Sequence, residues 1–90
     1  MSAFPILSRF QQDAHIKTVE IELGQTMDEV AATCAFHSIG LHVADKPGRT
    51  LRVRPTTEDD SAPPWPRDLT VEKAGIRFYD CIDIYFEEPR

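Results

Sequence analysis

The 90-residue sequence is poor in basic residues, with 10 lysines and arginines against 15 aspartates and glutamates and a formal net charge of −5. Nucleic-acid-binding proteins need a basic face that follows the phosphates, so this balance argues against nucleic acid as a partner. No apolar run approaches the roughly 18 residues of a membrane span, and the first residues lack a basic stretch followed by an apolar one. We therefore expect a cytoplasmic protein that binds neither nucleic acid nor membrane.

Cysteine and glycine are also scarce. Cys34 and Cys81 are the only cysteines, and a composition of 28% charged residues is not that of a disulfide-stapled miniprotein, so we expect both thiols to be reduced. The four glycines are scattered, which leaves no glycine-rich loop for a nucleotide phosphate. A chain of this length encloses one modest core but hardly a ligand cavity as well. We expect a single domain, residues 1–90, and not a self-contained enzyme.

The first part of the chain alternates between apolar and polar residues, which predicts strands at 4–10 and 17–23. If the two strands form a hairpin in which the numbers of opposite residues sum to about 25, Ile6 lies beside Val19. That register matches apolar residues with apolar residues and predicts that one face of the hairpin is buried.

A helix is predicted over residues 27–39. Thr26 and Glu29 have the spacing of a capping box, in which each side chain hydrogen-bonds the backbone amide of the other residue. Apolar residues then recur at helical spacing, and Gly40 supplies the left-handed residue that ends the helix.

The second half of the chain predicts a short strand at 51–54, a surface loop at 55–66, a helical turn within 69–76 and a last strand at 81–86. The element order is that of an α+β fold, a mixed sheet of four to five strands with one main helix packed on one face. It resembles the β-grasp of ubiquitin, in which the first and last strands lie parallel in the centre of the sheet. The predicted core consists of Ile6, Val19, Ile21, Leu23, Met27, Val30, Ala31, Cys34, Leu51, Val53, Ile82, Ile84 and Phe86.

The residues with catalytic or metal-binding chemistry do not form a recognisable constellation. Cys34, His37 and His42 have loose metal-ligand spacing, but Cys34 lies on the apolar stripe of the helix and no fourth ligand is near. Ser38 adjoins His37, yet neighbouring side chains of a helix diverge by about 100° and cannot form a nucleophile and base pair. We expect no catalytic, metal-binding or cofactor-binding residue in this chain.

The candidate site is a protein interface. The sheet face opposite the helix, here called the outer face, should present Leu7, Arg9, Arg52, Arg54, Cys81, Asp83 and Tyr85. Arginine and aromatic residues around an apolar centre are typical of an interface, although Arg52 or Arg54 could instead pair with Asp83 across the sheet. Trp65, between two prolines, is either tucked against the domain, which we favour, or offered to a partner. The predicted interface residues are Leu7, Arg9, Arg52, Arg54, Tyr85 and Trp65.

Five segments in order resemble the small γ subunit of bacterial multicomponent monooxygenases, the toluene monooxygenase system protein B family. They are residues 2–6 (SAFPI), 26–31 with 34–37 (TMDEVA and CAFH), 51–54 (LRVR), 65–70 (WPRDLT) and 82–87 (IDIYFE). The sequence departs from the family at residues 39–43, where basic residues are common, and in the acidic loop before Trp65. These departures leave the substrate open between an arene and an alkene or diene.

The resemblance implies a ubiquitin-like, non-catalytic subunit docked on the large α subunit of an (αβγ)₂ hydroxylase. The α subunit would hold a di-iron centre that activates O₂, and electrons would come from NADH through a reductase and a Rieske ferredoxin, with a small effector protein completing the system. The alternative is a free-standing ubiquitin-like adaptor. It would act without conjugation, because the chain ends in Phe-Glu-Glu-Pro-Arg and lacks a terminal Gly-Gly. A small catalytic domain is the third possibility.

Overall fold

The computed structural model describes residues 3–11, 13, 15–38, 49–57 and 61–87. Its elements in chain order are β1 (Phe4–Phe10), β2 (Lys17–Ile21), α1 (Met27–Ser38), β3 (Leu51–Pro55), α2 (Val71–Ala74) and β4 (Cys81–Phe86). Within these residues no helix is long and apolar enough to cross a membrane.

The four strands form one mixed sheet in the order β2-β1-β4-β3. β1 pairs antiparallel with β2 in the predicted register, with Ile6 opposite Val19, and β2 ends at Ile21 because the chain turns at Leu23. β1 and β4 run parallel in the centre, and β3 is antiparallel to β4 at the other edge. The predicted α+β fold, with the first and last strands parallel in the middle of a mixed sheet, is confirmed.

The capping box starts α1 as predicted. The Glu29 amide donates to Thr26 Oγ1 at 3.3 Å, and the Thr26 amide donates to Glu29 Oε1 at 3.1 Å. Asp28 and Glu29 place negative charge in the first turn, where the helix dipole favours it. The helix extends to Ser38, and its predicted closure at Gly40 lies outside the described residues.

The helical turn predicted within 69–76 is α2. Thr70 caps it by accepting a hydrogen bond from the Lys73 amide at 3.3 Å, and Gly75 ends it with a left-handed φ of 75°. The backbone also ties this segment to the start of α1, since the Met27 amide donates to the Leu69 carbonyl at 2.9 Å. α2 is therefore held beside the start of α1, and its Val71 is buried in the core.

The core lies between the helices and the inner face of the sheet. Every predicted core residue is buried except Leu23 and Leu51, which are half-buried and pack against the buried cluster. The prediction missed four buried apolar residues, Phe10, Ala35, Val71 and Ile76. Phe10 lies on the same inward face of β1 as Ile6. Its ring packs edge to face on Phe86, with ring centroids 5.8 Å apart.

Replacing a buried aliphatic residue in the centre of the sheet should be costly. Ile84 is 1% exposed, so Ile84→Ala should lower the free energy of unfolding by about 3 kcal/mol through lost burial and the cavity left behind. Thr18→Ala, at an exposed position of β2, is the matched control and should change it by less than about 0.5 kcal/mol. Urea denaturation measures both, and equal losses would contradict the assigned faces of the sheet.

Candidate functional site

The centre of the outer face is occupied by three charged side chains from three neighbouring strands. The parallel register of β1 and β4 places Arg9 beside Asp83, and the antiparallel register of β3 and β4 places Arg54 on the other side of Asp83. Because these residues alternate with the buried ones, they share the face away from the helix. We call Arg9, Asp83 and Arg54 the charged row.

Both oxygens of the Asp83 carboxylate accept hydrogen bonds from neighbouring side chains. Arg9 donates to it through two nitrogens, Nε to Oδ1 and Nη2 to Oδ2, both at 2.8 Å. Arg54 Nε donates to Oδ2 at 3.1 Å, and Thr56 Oγ1 donates to Oδ1 at 2.6 Å. These contacts leave Asp83 only 3% exposed although it lies on the open side of the sheet.

The environment of Asp83 acts on its ionisation in two directions. Burial by itself would raise the pKa of the carboxyl, but the hydrogen bonds from Arg9, Thr56 and Arg54 favour the charged form and lower the pKa below its ordinary value. Asp83 is therefore ionised at neutral pH and holds both arginines in place.

The two arginines of β3 have different partners. Arg54 pairs with Asp83, as one of the alternatives proposed, and its guanidinium carbon lies 4.7 Å from the ring centre of Tyr85. Arg52 does not reach Asp83. It donates to Glu87 Oε1 at 3.2 Å and to the Trp65 carbonyl at 3.1 Å, so it joins the segment before α2 to the edge of the sheet.

The apolar members of the predicted interface do not all lie together. Leu7 is half-buried on the outer face, level with Cys81 of β4, and Tyr85 is half-buried on the same face. Trp65 is half-buried and packs against the core cluster, which confirms the tucked arrangement. Its amide donates to the Val53 carbonyl at 2.9 Å and fixes its segment along the outer edge of β3.

These contacts change the result expected when the charges of both β3 arginines are reversed. If Arg52 and Arg54 only faced a partner, as the sequence predicts, replacing both with glutamate would leave the domain folded and weaken only its assembly. Arg54, however, is an ion-pair partner of the buried Asp83, so a glutamate there would set two carboxylates together. The double reversal would lower stability as well as docking, and it cannot separate the two effects.

The two thiols lie on opposite sides of the sheet. Cys34 is completely buried, and burial raises the pKa of its thiol to about 11, against a smaller lowering by a hydrogen bond with Ser8. Cys81 is half-buried on the outer face, and its Sγ lies within hydrogen-bond distance of Thr56 Oγ1, at 3.3 Å. Both cysteines are free, and Cys34 remains a neutral thiol under physiological conditions, unsuited to act as a nucleophile.

The set Cys34, His37 and His42, which the sequence does not support as a metal site, lies only partly within the described residues. His42 lies outside the described residues, and within those that are described no three histidine, cysteine or acidic residues are placed to hold a metal ion.

The sequence patterns did not predict one exposed feature. Phe78 and Tyr79, in the turn before β4, are 61% and 57% exposed and stack edge to face. Neither residue belongs to a helical or alternating pattern, so periodicity gives no sign of their position. The adjacent aromatic residues themselves were the available signal.

Comparison with models of known protein families matches residues 3–86 to the toluene-4-monooxygenase system protein B (TmoB) family. The chain belongs to the TmoB family. The resemblance read from the five sequence segments is therefore confirmed, and it covers nearly the whole chain.

Individual TmoB relatives agree in sequence and in structure. The hydroxylase component subunit gamma of the toluene-4-monooxygenase system of Ectopseudomonas mendocina is 36% identical over 88 residues, which cover 98% of this chain and 100% of that protein. A chain of the toluene 4 monooxygenase HD complex with the inhibitor 4-bromobenzoate has a TM-score of 0.86 at 35% identity, covering 96% of this chain and 100% of that one.

A more distant structure shares the fold alone. The Hsp90 co-chaperone Cns1 from Saccharomyces cerevisiae matches with a TM-score of 0.60 and 14% identity, over 93% of this chain and 31% of that one. The same arrangement of strands and helix thus occurs outside the TmoB family.

The charged row predicts a pH dependence of stability that can be assigned to one residue. The pKa of Asp83 is lower in the folded chain than its value of about 3.9 in the unfolded chain. Its ionisation therefore stabilises the fold above about pH 3.9, and this stabilisation is lost as the pH falls through the folded pKa. Asp83→Asn should cost about 2 kcal/mol at pH 7, and the difference from the natural chain should shrink below about pH 4.

Denaturation curves at several pH values measure this difference. Glu20→Gln, at an exposed position of β2, serves as the control and should leave stability at pH 7 nearly unchanged. A difference for Asp83→Asn that stays constant from pH 7 down to pH 2 would contradict the role of the ionised carboxylate.

Proposed function

We propose that this chain is the γ subunit of the hydroxylase component of a multicomponent monooxygenase, and that its role there is structural. The observation that carries the proposal is the 36% identity to a hydroxylase gamma subunit over that protein's entire length. The TmoB family membership supports it independently, because the family match extends from residue 3 to residue 86.

The chemistry of the described side chains supports a non-catalytic role. The Cys34 thiol is buried and neutral, and the Asp83 carboxylate already accepts hydrogen bonds from two arginines and a threonine. A general base or nucleophile must be able to reach a substrate and exchange a proton with it. Here the groups with shifted pKa values are buried in the core or paired with other residues of the chain.

The partners of the proposed function follow from the family resemblance. The chain would dock on the large α subunit within an (αβγ)₂ hydroxylase in the cytoplasm, and the di-iron centre would belong to α, with no cofactor held by this chain. A Rieske ferredoxin, a reductase that takes electrons from NADH and an effector protein would complete the system. The oxidised hydrocarbon would be an arene or an alkene.

The proposed docking surface is the outer face, with Trp65 at its edge. Leu7 and Tyr85 offer apolar area, and the side chains of Arg9 and Arg54 are 37% and 23% exposed, so both can still approach carboxylates of a partner. A stable contact should bury at least about 1,000 Å² in total. Docking there leaves the core covered, because the core lies on the other side of the sheet.

Copurification tests the proposed function directly. The tagged chain, expressed with the proteins encoded beside it, should carry a large subunit with two Glu-x-x-His motifs, and hydrocarbon oxidation should fall when the chain is deleted. A chain that purifies alone at about 10 kDa, and whose deletion leaves oxidation unchanged, would favour the free-standing adaptor. Turnover by the isolated chain would favour a catalytic domain.

A single substitution tests the docking surface separately. Leu7→Asp adds a negative charge to the outer face without removing an ion pair, so the domain should fold while its binding to the large subunit weakens at least tenfold. Ala32→Asp adds the same charge at an exposed position of α1 and should bind normally. If Leu7→Asp binds as tightly as the natural chain, docking uses another surface.

A further inference from the structure

The turn between α2 and β4 exposes the two neighbouring aromatic rings of Phe78 and Tyr79. Their ring centroids are 4.6 Å apart at an interplanar angle of 85°, and each side chain is more than half exposed. Single exposed apolar residues are common on protein surfaces, but two aromatic rings in mutual contact form a larger apolar patch. Such a patch gains free energy when another surface covers it.

The backbone of this turn is fixed in an unfavourable conformation. Tyr79 has a φ of 60°, in the left-handed region that glycine and asparagine adopt more easily than a bulky residue. The Tyr79 amide donates to the Pro5 carbonyl at 2.8 Å, and the Leu7 amide donates to the Asp80 carbonyl at 2.9 Å. Asp80 Oδ2 accepts from the Arg77 amide at 2.8 Å. The two rings are therefore presented at a fixed place beside the start of β1.

We propose that the Phe78–Tyr79 turn is the apolar anchor by which this chain docks on the large hydroxylase subunit. The inference rests on the proposed function. Rigid, exposed aromatic side chains make effective anchors because little conformational freedom is lost on binding, and tyrosine is enriched among the residues that dominate interface energies. Docking would explain why an aromatic residue occupies a position whose backbone conformation suits glycine or asparagine.

The turn alone is too small for a standard protein interface. The exposed parts of two aromatic rings supply roughly 200–300 Å², whereas a standard interface buries roughly 800 Å² on each partner. The turn is hydrogen-bonded to Pro5 and Leu7, and Leu7 belongs to the outer face. The turn and the outer face thus adjoin, so one partner can cover both.

The charge of this combined surface favours an acidic partner over a second copy. The charged row consists of two arginines and one aspartate, so the row itself is positive in a chain whose net charge is −5. Two copies meeting through this surface would bring arginines against arginines. We therefore expect the large subunit to offer an apolar pocket for the rings with carboxylates beside it.

Tyr79→Asn separates docking from folding. Asparagine suits the left-handed backbone better than tyrosine, so the stability of the domain should stay equal or rise, while loss of the ring should weaken binding to the large subunit at least about 30-fold. Phe78→Ser provides a second variant that leaves Tyr79 in place. Phe36→Ser, on α1 at a side chain that is 81% exposed, is the matched control and should bind normally.

Competition measures these affinities in the assembled complex. Each tagged variant is expressed with the large subunit and an untagged natural chain, and the ratio of the two chains in the purified hydroxylase gives the relative affinity. Depletion of the Tyr79 and Phe78 variants with normal incorporation of Phe36→Ser supports the proposal. Equal incorporation of all variants overturns it and leaves the subunit function intact.

Two further outcomes are decisive. Failure of the natural chain to enter any complex would overturn the proposed function and this inference together. If the natural chain dimerises in sedimentation, and Tyr79→Asn abolishes the dimer but not incorporation, the rings serve a second copy and the proposal is wrong. Should Tyr79→Asn fail to fold, Phe78→Ser decides the question alone.

Discussion

The parallel pairing of the first and last strands in the centre of the sheet is the constraint on which the other features depend. It brings together residues 74 positions apart in sequence, so that Arg9 of β1 lies beside Asp83 of β4. The same pairing leaves one face of both strands to the core and the other to the outer face. Core, charged row and aromatic turn all follow from this register.

Under the docking that we propose, the outer face has two roles that are usually separate. Its charges stabilise the sheet, because one buried carboxylate in β4 binds an arginine from each neighbouring strand. The same arginines keep exposed surface that a partner can contact, so docking and stability draw on shared residues. Substitutions of the charged row will affect both, whereas substitutions at Leu7 or in the aromatic turn act mainly on docking.

Local signals in the sequence were sufficient for much of the fold. The register of the hairpin follows from matching Ile6 with Val19, and the start of α1 follows from the Thr26 and Glu29 capping box, because each depends on residues close in sequence. α2 is predictable for the same reason, with Thr70 before it and Gly75 after it.

The contacts that were missed depend on distant parts of the chain. The alternation places Arg9 on the outer face, but only the parallel register of β1 and β4 selects it as the main partner of Asp83. The conformation of Tyr79 depends on the carbonyl of Pro5, far away in sequence. The sequence therefore placed Arg9, Arg54 and Tyr85 on one face of the sheet, without their ion pairs or the adjoining aromatic turn.

Hydrogen–deuterium exchange of the chain, free and within the hydroxylase, tests the central claim most directly. The account predicts that binding slows exchange in residues 77–80 and in the neighbouring start of β1, while the exposed side of α1 around Ala32 exchanges as in the free chain. Protection confined to α1, with residues 77–80 unchanged, would show that the partner covers the helix and would contradict docking through the outer face.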